Sequence, residues 1–352
     1  MNNAIGYATH GATEPLKFFK FQRREVGPHD VQLEILYCGI CHSDIHSARN
    51  EWHNAIYPMV PGHEIIGKIT KIGEEVSTFK VGDLVGVGCL VGSCRTCSSC
   101  QDGLEQYCES GFTLTYNSKE EETGGITYGG YSNTMVVNDK FVLHLPKELD
   151  PKAAAPLLCA GITTYSPLRH WNVSKGQRVG IVGLGGLGHM AVKIAAKLGA
   201  EVIVITTSPS KEQDAKKLGA SSILLSKDKE QMKKEANRFD FILNTVPKSH
   251  DINPYLDLLK RDATMVIVGA VEPIEPGIDG SKIIFKRKSI AGSLIGGIKE
   301  TQEMLNFCAE HNILPEVEMI PIQKINEAFE RTIKNDVKYR FVIDMSSLKE
   351  ER

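Results

Sequence analysis

Four cysteines lie close together in one polar stretch of the chain, at Cys94, Cys97, Cys100 and Cys108. Their spacing, with two, two and seven residues between successive thiols, is typical of a tetrahedral four-cysteine zinc site. A bound metal would hold such a loop together, because its binding energy becomes folding energy. Two disulfides or four unrelated buried thiols are the alternatives. Four thiolates leave no position open for a substrate, so we expect a structural site and chemistry elsewhere.

A glycine-rich segment is the second motif. Gly183-Leu184-Gly185-Gly186-Leu187-Gly188 directly follows a predicted strand at 178–182 and precedes a predicted helix at 189–198. In that context the first glycine allows the tight turn, the second lets the backbone approach a pyrophosphate, and the third lets helix pack on strand. The helix N-terminus would then face the phosphates. The segment predicts a dinucleotide site, the alternative being a glycine-rich turn without a ligand.

The end of the next predicted strand bears on which dinucleotide binds. Sites for NAD usually place an Asp or Glu there, to bond the ribose 2′-hydroxyl. This chain has Thr207, Ser208 and Lys211 in that region, and no acid follows until Glu212. Hydroxyl groups and a lysine suit a 2′-phosphate, which favours NADP. Helix capping is the alternative role of Thr207 and Ser208.

Three residues in distant segments have the chemistry of a second zinc site. Two cysteines and one histidine form a known catalytic zinc arrangement that leaves the fourth position open, and Cys41, His63 and Cys159 would supply it. No spacing rule groups them, however. A single cysteine in an apolar run, such as Cys159, is more often a small core residue, and a single histidine such as His63 is more often structural.

Periodicity indicates which elements would position these motifs. Residues 1–150 are β-rich: 31–37 alternates apolar and polar residues, the pattern of a half-buried strand. From about residue 177, short apolar strands alternate with helical stretches, which predicts a parallel sheet with right-handed crossovers. After about residue 288 one helix and one strand remain. That tail is too short for a domain, and we expect it to return to the first one.

Composition excludes several classes of function. The 352 residues suggest two domains, and 41% hydrophobic and 24% charged residues are ordinary for a globular protein. The net charge is −2, and no basic block indicates nucleic-acid binding. No apolar run reaches membrane-spanning length, and the N-terminal residues do not resemble a signal peptide. Nine cysteines, an odd number, favour a reducing cytoplasm and metal binding over disulfides.

Taken together, the motifs identify a family resemblance. The cysteine loop, the glycine loop, Gly62-His63-Glu64 and the segment 157–165 resemble the zinc-dependent medium-chain alcohol dehydrogenases. The segments 40–44 and 292–301 resemble, more narrowly, the cinnamyl alcohol dehydrogenase branch. The resemblance implies an α/β protein: a GroES-like β-barrel catalytic domain at 1–152 and 289–352, and a Rossmann domain with a doubly wound parallel sheet at 153–288.

The resemblance also assigns roles at the metal. Cys41, His63 and Cys159 match the catalytic zinc ligands, and Glu64 matches the carboxylate that can replace water on the metal. The four-cysteine loop matches the structural zinc, so two zinc ions per chain are expected. Cys38, Cys89 and Cys308 match no ligand position and are interpreted as packing.

Further roles implied by the resemblance concern proton transfer and the cofactor. Asp44 matches the acid that orients the ligand histidine, and Ser43 and His46 match the hydroxyl and the imidazole of a proton relay. An ordinary surface histidine is the alternative for His46. Thr163 and the glycine loop, including Gly186 and Leu187, are assigned to NADP(H) binding.

An apolar substrate pocket is predicted from five residues: Trp52, Tyr57, Leu90, Leu114 and Leu294. Plant members of the branch carry a large aromatic residue at the position of Leu114 and a Phe near that of Leu294. Aliphatic residues here argue against a strict preference for cinnamyl substrates. We therefore expect aromatic and medium aliphatic aldehydes to be accepted.

The sequence thus predicts a zinc-dependent oxidoreductase that interconverts primary alcohols and aldehydes by hydride transfer with NADP(H), mainly as an aldehyde reductase. A sugar or polyol dehydrogenase and a non-catalytic NADP-binding redox sensor are the alternatives. A small-molecule alcohol or aldehyde is the expected partner, without nucleic acid or membrane, and a homodimer is expected from the family alone.

Overall fold

The computed structural model describes residues 2–120 and 124–349. Its strands are β1 (Asn2–Ala8), β2 (Lys17–Arg23), β3 (Asp30–Gly39), β4 (Ile65–Ile72), β5 (Leu84–Val87), β6 (Leu90–Ser93), β7 (Phe112–Leu114), β8 (Thr134–Asn138), β9 (Leu143–His144), β10 (Arg178–Val182), β11 (Glu201–Thr206), β12 (Ser222–Leu225), β13 (Phe239–Asn244), β14 (Leu259–Ile267), β15 (Ser289–Gly292), β16 (Val317–Pro321) and β17 (Arg340–Asp344). Its α-helices are α1 (His42–Ala48), α2 (Ser98–Gln101), α3 (Pro151–Ala154), α4 (Ala160–His170), α5 (Gly188–Lys197), α6 (Glu212–Leu218), α7 (Lys229–Lys234), α8 (Asn253–Leu258), α9 (Gly280–Ile284), α10 (Ile298–Glu310) and α11 (Ile325–Ile333). None of the described helices has both the length and the apolar character needed to cross a membrane.

The chain divides into two compact units. The first comprises residues 1–159 and 296–352, and the second comprises residues 160–295. The sequence placed the two junctions at 152/153 and 288/289, whereas the contacts place them at 159/160 and 295/296.

The first unit is built on a mostly antiparallel sheet. Its strands follow the order β16-β17-β3-β4-β5-β9, with β8 also paired to β3. In β3 the side chains of Val31, Leu33 and Ile35 are buried, as expected where alternate residues of a strand face a core. The strand ends at Gly39, and the chain then turns through Cys41 into α1. One predicted metal ligand, Cys41, therefore lies just beyond the C-terminal end of β3.

The C-terminal strand joins this same sheet. β17 is parallel to β16 and antiparallel to β3, with Val342 opposite Gly39. This pairing places Arg340 close to the segment that follows β3. Residues from the two ends of the sequence thus meet beside the predicted metal ligands.

The second unit is a parallel sheet with helices between its strands. The strand order is β12-β11-β10-β13-β14-β15, so the order reverses between β10 and β13. That arrangement is the doubly wound dinucleotide fold, in which ligands bind at the carboxyl ends of the strands beside the reversal. The predicted fold class is confirmed by these two sheets.

Candidate active site

The four cysteines of the loop meet at one point. Their sulfur atoms all lie within 4.8 Å of one another, and both the Cys94–Cys100 and the Cys97–Cys108 sulfur pairs are 4.0 Å apart. A tetrahedral zinc with bonds of about 2.3 Å separates its sulfurs by roughly 3.8 Å, so the spacing fits zinc. All four thiols are free, which excludes the two-disulfide alternative.

Backbone N–H groups prepare this loop for negative charge. The N–H of Cys97 lies 3.3 Å from the Cys94 sulfur, and that of Glu109 lies 3.5 Å from the Cys97 sulfur. Backbone hydrogen bonds from Thr96 and Cys97 lower the pKa of Cys94 to about 5. A thiolate, the form that binds metal, is therefore favoured there before any metal arrives.

A second group of ligands forms from the three distant segments. Ligand atoms of Cys41, His63, Glu64 and Cys159 all lie within 4.8 Å of one another, and the sulfurs of Cys41 and Cys159 are 3.7 Å apart. This separation again matches two sulfurs on one tetrahedral zinc. The structure thus brings together the residues that no spacing rule could group.

The two sulfurs of this second group share a proton. Their hydrogen bond lowers the pKa of Cys41 well below its ordinary value and raises that of Cys159 well above. Zinc binds thiolates and displaces such protons. Two sulfurs and an imidazole, all buried, are therefore a donor set suited to zinc.

Asp44 fixes the orientation of these ligands. Its fully buried carboxylate accepts four hydrogen bonds, two at each oxygen. One oxygen receives the N–H of Gly62 at 3.1 Å and Nδ1–H of His63 at 3.0 Å. The other receives the N–H of Cys41 at 2.9 Å and the hydroxyl of Tyr131 at 3.0 Å. Because His63 donates from Nδ1, its Nε2 is left to bind the metal.

Glu64 is held beside the ligands by a buried ion pair. One of its oxygens accepts a hydrogen bond from the guanidinium of Arg340, which also donates to the carbonyl of Ile40 at 2.9 Å. The other oxygen, Oε2, has no hydrogen-bond partner among the residues that the structure describes. Burial raises the pKa of Glu64 to about 7, although Arg340 opposes that shift. A Cβ on Gly39 would lie 1.9 Å from Oε2, so any larger residue there would displace the Glu64 carboxylate.

Sequence reasoning missed three residues of this site. Arg340 pairs with Glu64, Tyr131 bonds Asp44, and the ring of Tyr116 stacks on His63 at a centroid distance of 5.8 Å. Each contact joins residues far apart in the chain, and no motif marks them. The one available signal was a charged residue, Arg340, at the start of the apolar strand Arg340–Asp344.

The two predicted relay residues lie on α1. The hydroxyl oxygen of Ser43 is 3.7 Å from the Cys41 sulfur. His46 follows one helical turn later, where residues three apart share a face, and it is only partly buried. The helix therefore carries these side chains from the metal ligands toward the surface.

The predicted pocket residues fall into separate places. Leu90 and Leu114 are opposite each other across the β6–β7 pair. The ring of Trp52 lies 5.3 Å from that of His46, and the hydroxyl of Tyr57 donates to the carbonyl of Ala48 at 2.8 Å. Leu294 is an exposed residue of the second unit.

In the second unit the glycine loop has the geometry of a phosphate cradle. Gly183 has a positive φ of 90°, which favours glycine. A Cβ on Gly188 would lie 2.2 Å from the carbonyl oxygen of Gly183, whereas a Cβ on Gly185 would meet nothing within 4 Å. Leu187 is the N-cap of α5 and gives it no side-chain cap. Gly186 completes the turn at the N-terminus of α5, and the positive dipole end of a helix favours a phosphate there.

The residues after β11 lie next to this loop. Lys211 donates from Nζ to the carbonyl of Leu184 at 3.0 Å, and burial lowers its pKa. Ser208 precedes the 3-10 helix Pro209–Lys211, but its hydroxyl bonds Ser210 at 2.8 Å and does not cap. Thr207 is exposed, and Thr163 is buried within α4.

Comparisons with known proteins agree with this arrangement. Residues 27–147 match the alcohol dehydrogenase GroES-like domain family, and residues 186–310 match the zinc-binding dehydrogenase family. An aldehyde reductase of Escherichia coli is 51% identical over 98% of both chains. A cinnamyl alcohol dehydrogenase structure from Sorghum bicolor is 45% identical over the full length of both chains, with a TM-score of 0.96.

A second solved structure extends the likeness. The cinnamyl alcohol dehydrogenase of Helicobacter pylori, complexed with NADP(H), is 43% identical over 99% of both chains, with a TM-score of 0.92. Relatives this similar over whole chains, together with two zinc-type ligand groups, establish the family. The chain therefore belongs to the zinc-dependent medium-chain alcohol dehydrogenases, in the cinnamyl alcohol dehydrogenase branch.

Proposed function

We propose that this enzyme interconverts primary alcohols and aldehydes by hydride transfer with NADP(H), and that it works mainly as an aldehyde reductase. The observation that carries the proposal is the second ligand group: Cys41, His63 and Cys159 converge, and Glu64 stands at the fourth position. The names of the similar proteins, aldehyde reductase and cinnamyl alcohol dehydrogenase, support the same chemistry.

Cys41, His63 and Cys159 would hold the catalytic zinc. When bound there, zinc supplies Lewis acidity, which polarises an aldehyde and lowers the pKa of an alcohol. The chain's own contribution is orientation: Asp44 fixes the imidazole of His63, and Arg340 anchors Glu64 through one oxygen. Cys94, Cys97, Cys100 and Cys108 would hold the structural zinc.

Ser43 and His46 would move the proton. Ser43 lies beside the Cys41 sulfur, close to where a substrate oxygen must sit, and His46 lies one turn closer to solvent. In aldehyde reduction the imidazolium of His46 would supply the proton that Ser43 passes to the substrate oxygen.

The glycine loop and its neighbours would bind the cofactor, which supplies the hydride. Gly183, Gly185 and Gly188 make room for the pyrophosphate. Thr207, Ser208 and Lys211 would bind the 2′-phosphate of NADP(H), because an ammonium group attracts a phosphate. No carboxylate lies between the end of β11 and Glu212 to repel it. The resemblance to the family is the basis for assigning Thr163 to cofactor binding, and this role stays a prediction.

Aromatic and medium aliphatic aldehydes are the proposed substrates. Leu90 and Leu114, paired across two strands, would give the pocket an aliphatic wall, and Trp52, Tyr57 and Leu294 remain its other predicted members. An aliphatic wall selects less strictly for planar rings than an aromatic one, because it offers no stacking partner.

Assembly and location stay predictions. A homodimer is supported by two features of the second unit: β15 stands at the end of the described sheet, and Val271, Ile284 and Phe285 are exposed apolar residues. Sedimentation velocity measures the oligomeric state and checks this prediction.

A cytoplasmic location is the prediction that follows from the number of free thiols.

The test is a panel of aldehydes, alcohols and sugars assayed with NADPH and NADH in parallel. We expect the highest kcat/KM for aromatic and medium aliphatic aldehydes with NADPH. Polyol oxidation as the best reaction would contradict the substrate assignment, and equal kcat/KM with both cofactors would contradict the assignment of NADP.

A further inference from the structure

A buried asparagine ends the strand that lies next to the glycine loop. Asn244 is the last residue of β13 and is 1% exposed, and β13 pairs with β10, the strand that leads into the glycine loop. The sheet order reverses between these two strands, and in this fold a dinucleotide binds at their carboxyl ends. The loop that follows Asn244, residues 245–250, therefore borders the proposed cofactor site.

The first two residues of this loop pack against the glycine loop. Thr245 donates from its backbone N–H at 3.1 Å and from its hydroxyl at 2.8 Å to the carbonyl of Val182. A Cβ on Gly183 would lie 3.1 Å from the hydroxyl oxygen of Thr245 and 3.3 Å from a methyl carbon of Val246. Because these atoms are already close to Gly183, a shift of residues 245–250 would change the shape of the glycine loop.

One histidine fixes the side chain of Asn244. Nδ1 of His250 lies 2.8 Å from the carbonyl oxygen of Lys248, and a carbonyl only accepts hydrogen bonds, so Nδ1 carries the hydrogen. Nε2 of His250 is then the acceptor, and it lies 3.1 Å from Nδ2 of Asn244. The amide oxygen of Asn244 accepts the N–H of Val246 at 3.2 Å. The network therefore determines both the tautomer of the ring and the orientation of the amide.

A second contact holds the outer side of the loop. The N–H of Ser249 donates to Glu272 at 2.5 Å, and the hydroxyl of Ser249 accepts the N–H of Glu275 at 2.8 Å. Both glutamates are exposed, so these bonds join segments that water also reaches. The bond from His250 instead reaches the buried end of β13, beside the glycine loop. His250 is therefore better placed to set the position of the first two loop residues.

We propose that His250 is a positioning residue for the cofactor site: it fixes Asn244 and so holds residues 245–250 in the conformation that receives NADP(H). This inference rests on the proposed binding of NADP(H) at the glycine loop. A loop that is ordered before binding does not have to be ordered by the cofactor, which makes binding tighter. Without His250, the buried Nδ2 of Asn244 would lack this acceptor, and the loop would rearrange to supply another.

The test compares variants by isothermal titration calorimetry with NADPH. His250→Phe keeps an aromatic ring beside Tyr255, whose ring centroid lies 5.9 Å away, but removes both hydrogen bonds. His250→Ala takes its place if that variant does not fold. His250→Gln keeps an oxygen that can accept from Asn244. The matched control is His170→Phe, because His170 is an exposed histidine of the same unit whose ring contacts Trp171.

The Kd for NADPH should rise roughly three- to tenfold in His250→Phe, the effect of losing one hydrogen bond of ordinary strength. In His250→Gln and in the control it should stay within about twofold of the native value. The kcat at saturating NADPH should be nearly native in every variant, because the bound cofactor orders the loop. Without cofactor, hydrogen exchange at the N–H of Val246 should be faster in His250→Phe than in the control.

Gly188→Ala separates this proposal from the proposed cofactor site. If it leaves the Kd for NADPH unchanged, the glycine loop does not bind the cofactor, and the role of His250 falls with it. If Gly188→Ala weakens binding but His250→Phe matches its control in both Kd and hydrogen exchange, the cofactor site stands and the proposal for His250 is overturned. An equal loss of affinity in His250→Phe and His250→Gln would also overturn it, since glutamine keeps the acceptor.

Discussion

Replacing Asp44 by Asn should damage both the fold and the metal site. The side chains have the same shape, so packing is unchanged, and only the hydrogen bonds differ. The carboxylate of Asp44 receives two donors at each oxygen. An amide keeps one oxygen and presents an NH₂ group at the other. If the NH₂ group faces Gly62 and His63, two donors lose their acceptor; if it faces Cys41 and Tyr131, the N–H of Cys41 loses its acceptor and the Tyr131 hydroxyl can turn to accept.

The size of the effect follows from that count. A buried donor that loses its acceptor costs about 1–3 kcal/mol, so the loss of one or two should reduce the free energy of unfolding by roughly 1–6 kcal/mol. That is a large part of the roughly 5–15 kcal/mol available to a domain. If the amide NH₂ faces Nδ1–H of His63, the imidazole loses its preferred orientation. Loss of such a partner typically weakens zinc binding 10- to 100-fold.

Urea unfolding and zinc competition with a chelator measure the two effects separately. Asp30→Asn is the matched control: Asp30 is also buried in the first unit, but it bonds Arg24 and the N–H of Gly27 instead of a metal ligand. The control should lose stability and keep its zinc affinity. If Asp44→Asn has the same urea midpoint and the same zinc affinity as the native enzyme, the reasoning about this carboxylate is refuted.

Three further changes test other parts of the structure. Lys211→Ala should raise the KM for NADPH roughly 10- to 100-fold, because one charge-assisted hydrogen bond to the 2′-phosphate is lost. The KM for NADH should be nearly unchanged. Equal increases of the KM for the two cofactors would contradict a 2′-phosphate contact. Gly188→Ala should weaken NADPH binding more than tenfold, because the new Cβ would meet the carbonyl oxygen of Gly183 at 2.2 Å; fluorescence titration checks this, and zinc content should not change. Cys100→Ser should lower Tm by about 5–10 °C, because a loss of a few kcal/mol in the free energy of unfolding has that effect in a unit of this size. An unchanged Tm in calorimetry would argue against a structural metal.

The two compact motifs could be predicted from sequence because each lies within one short segment. The spacing of four cysteines within fifteen residues predicts that their sulfurs meet, and in the structure they do. The spacing of the glycine loop predicts a close approach of helix and strand, and a Cβ on Gly188 would indeed meet the Gly183 carbonyl. The catalytic ligands are different. Cys41 and Cys159 are 118 residues apart yet touch, and family resemblance, not periodicity, joined them.

Contacts without a motif remained outside the reach of the sequence. Arg340 and Glu64 are 276 residues apart, and they meet because β17 pairs with β3. Tyr131 reaches Asp44 across 87 residues. An arginine in an apolar strand resembles any other strand residue, and Tyr131 precedes β8 in a segment without a motif. Only the folded structure shows which carboxylate each of them bonds.

The central claim is that Cys41, His63 and Cys159 hold one zinc ion at which the reaction occurs. Metal analysis of Cys159→Ala, combined with NADPH titration and an aldehyde assay, tests it most directly. We predict two zinc ions per native chain, from the two ligand groups, and one in the variant. Turnover should be lost, while the Kd for NADPH should stay within about twofold, since the variant leaves the glycine loop intact. A variant that keeps two zinc ions, or that still reduces aldehydes, would contradict the account.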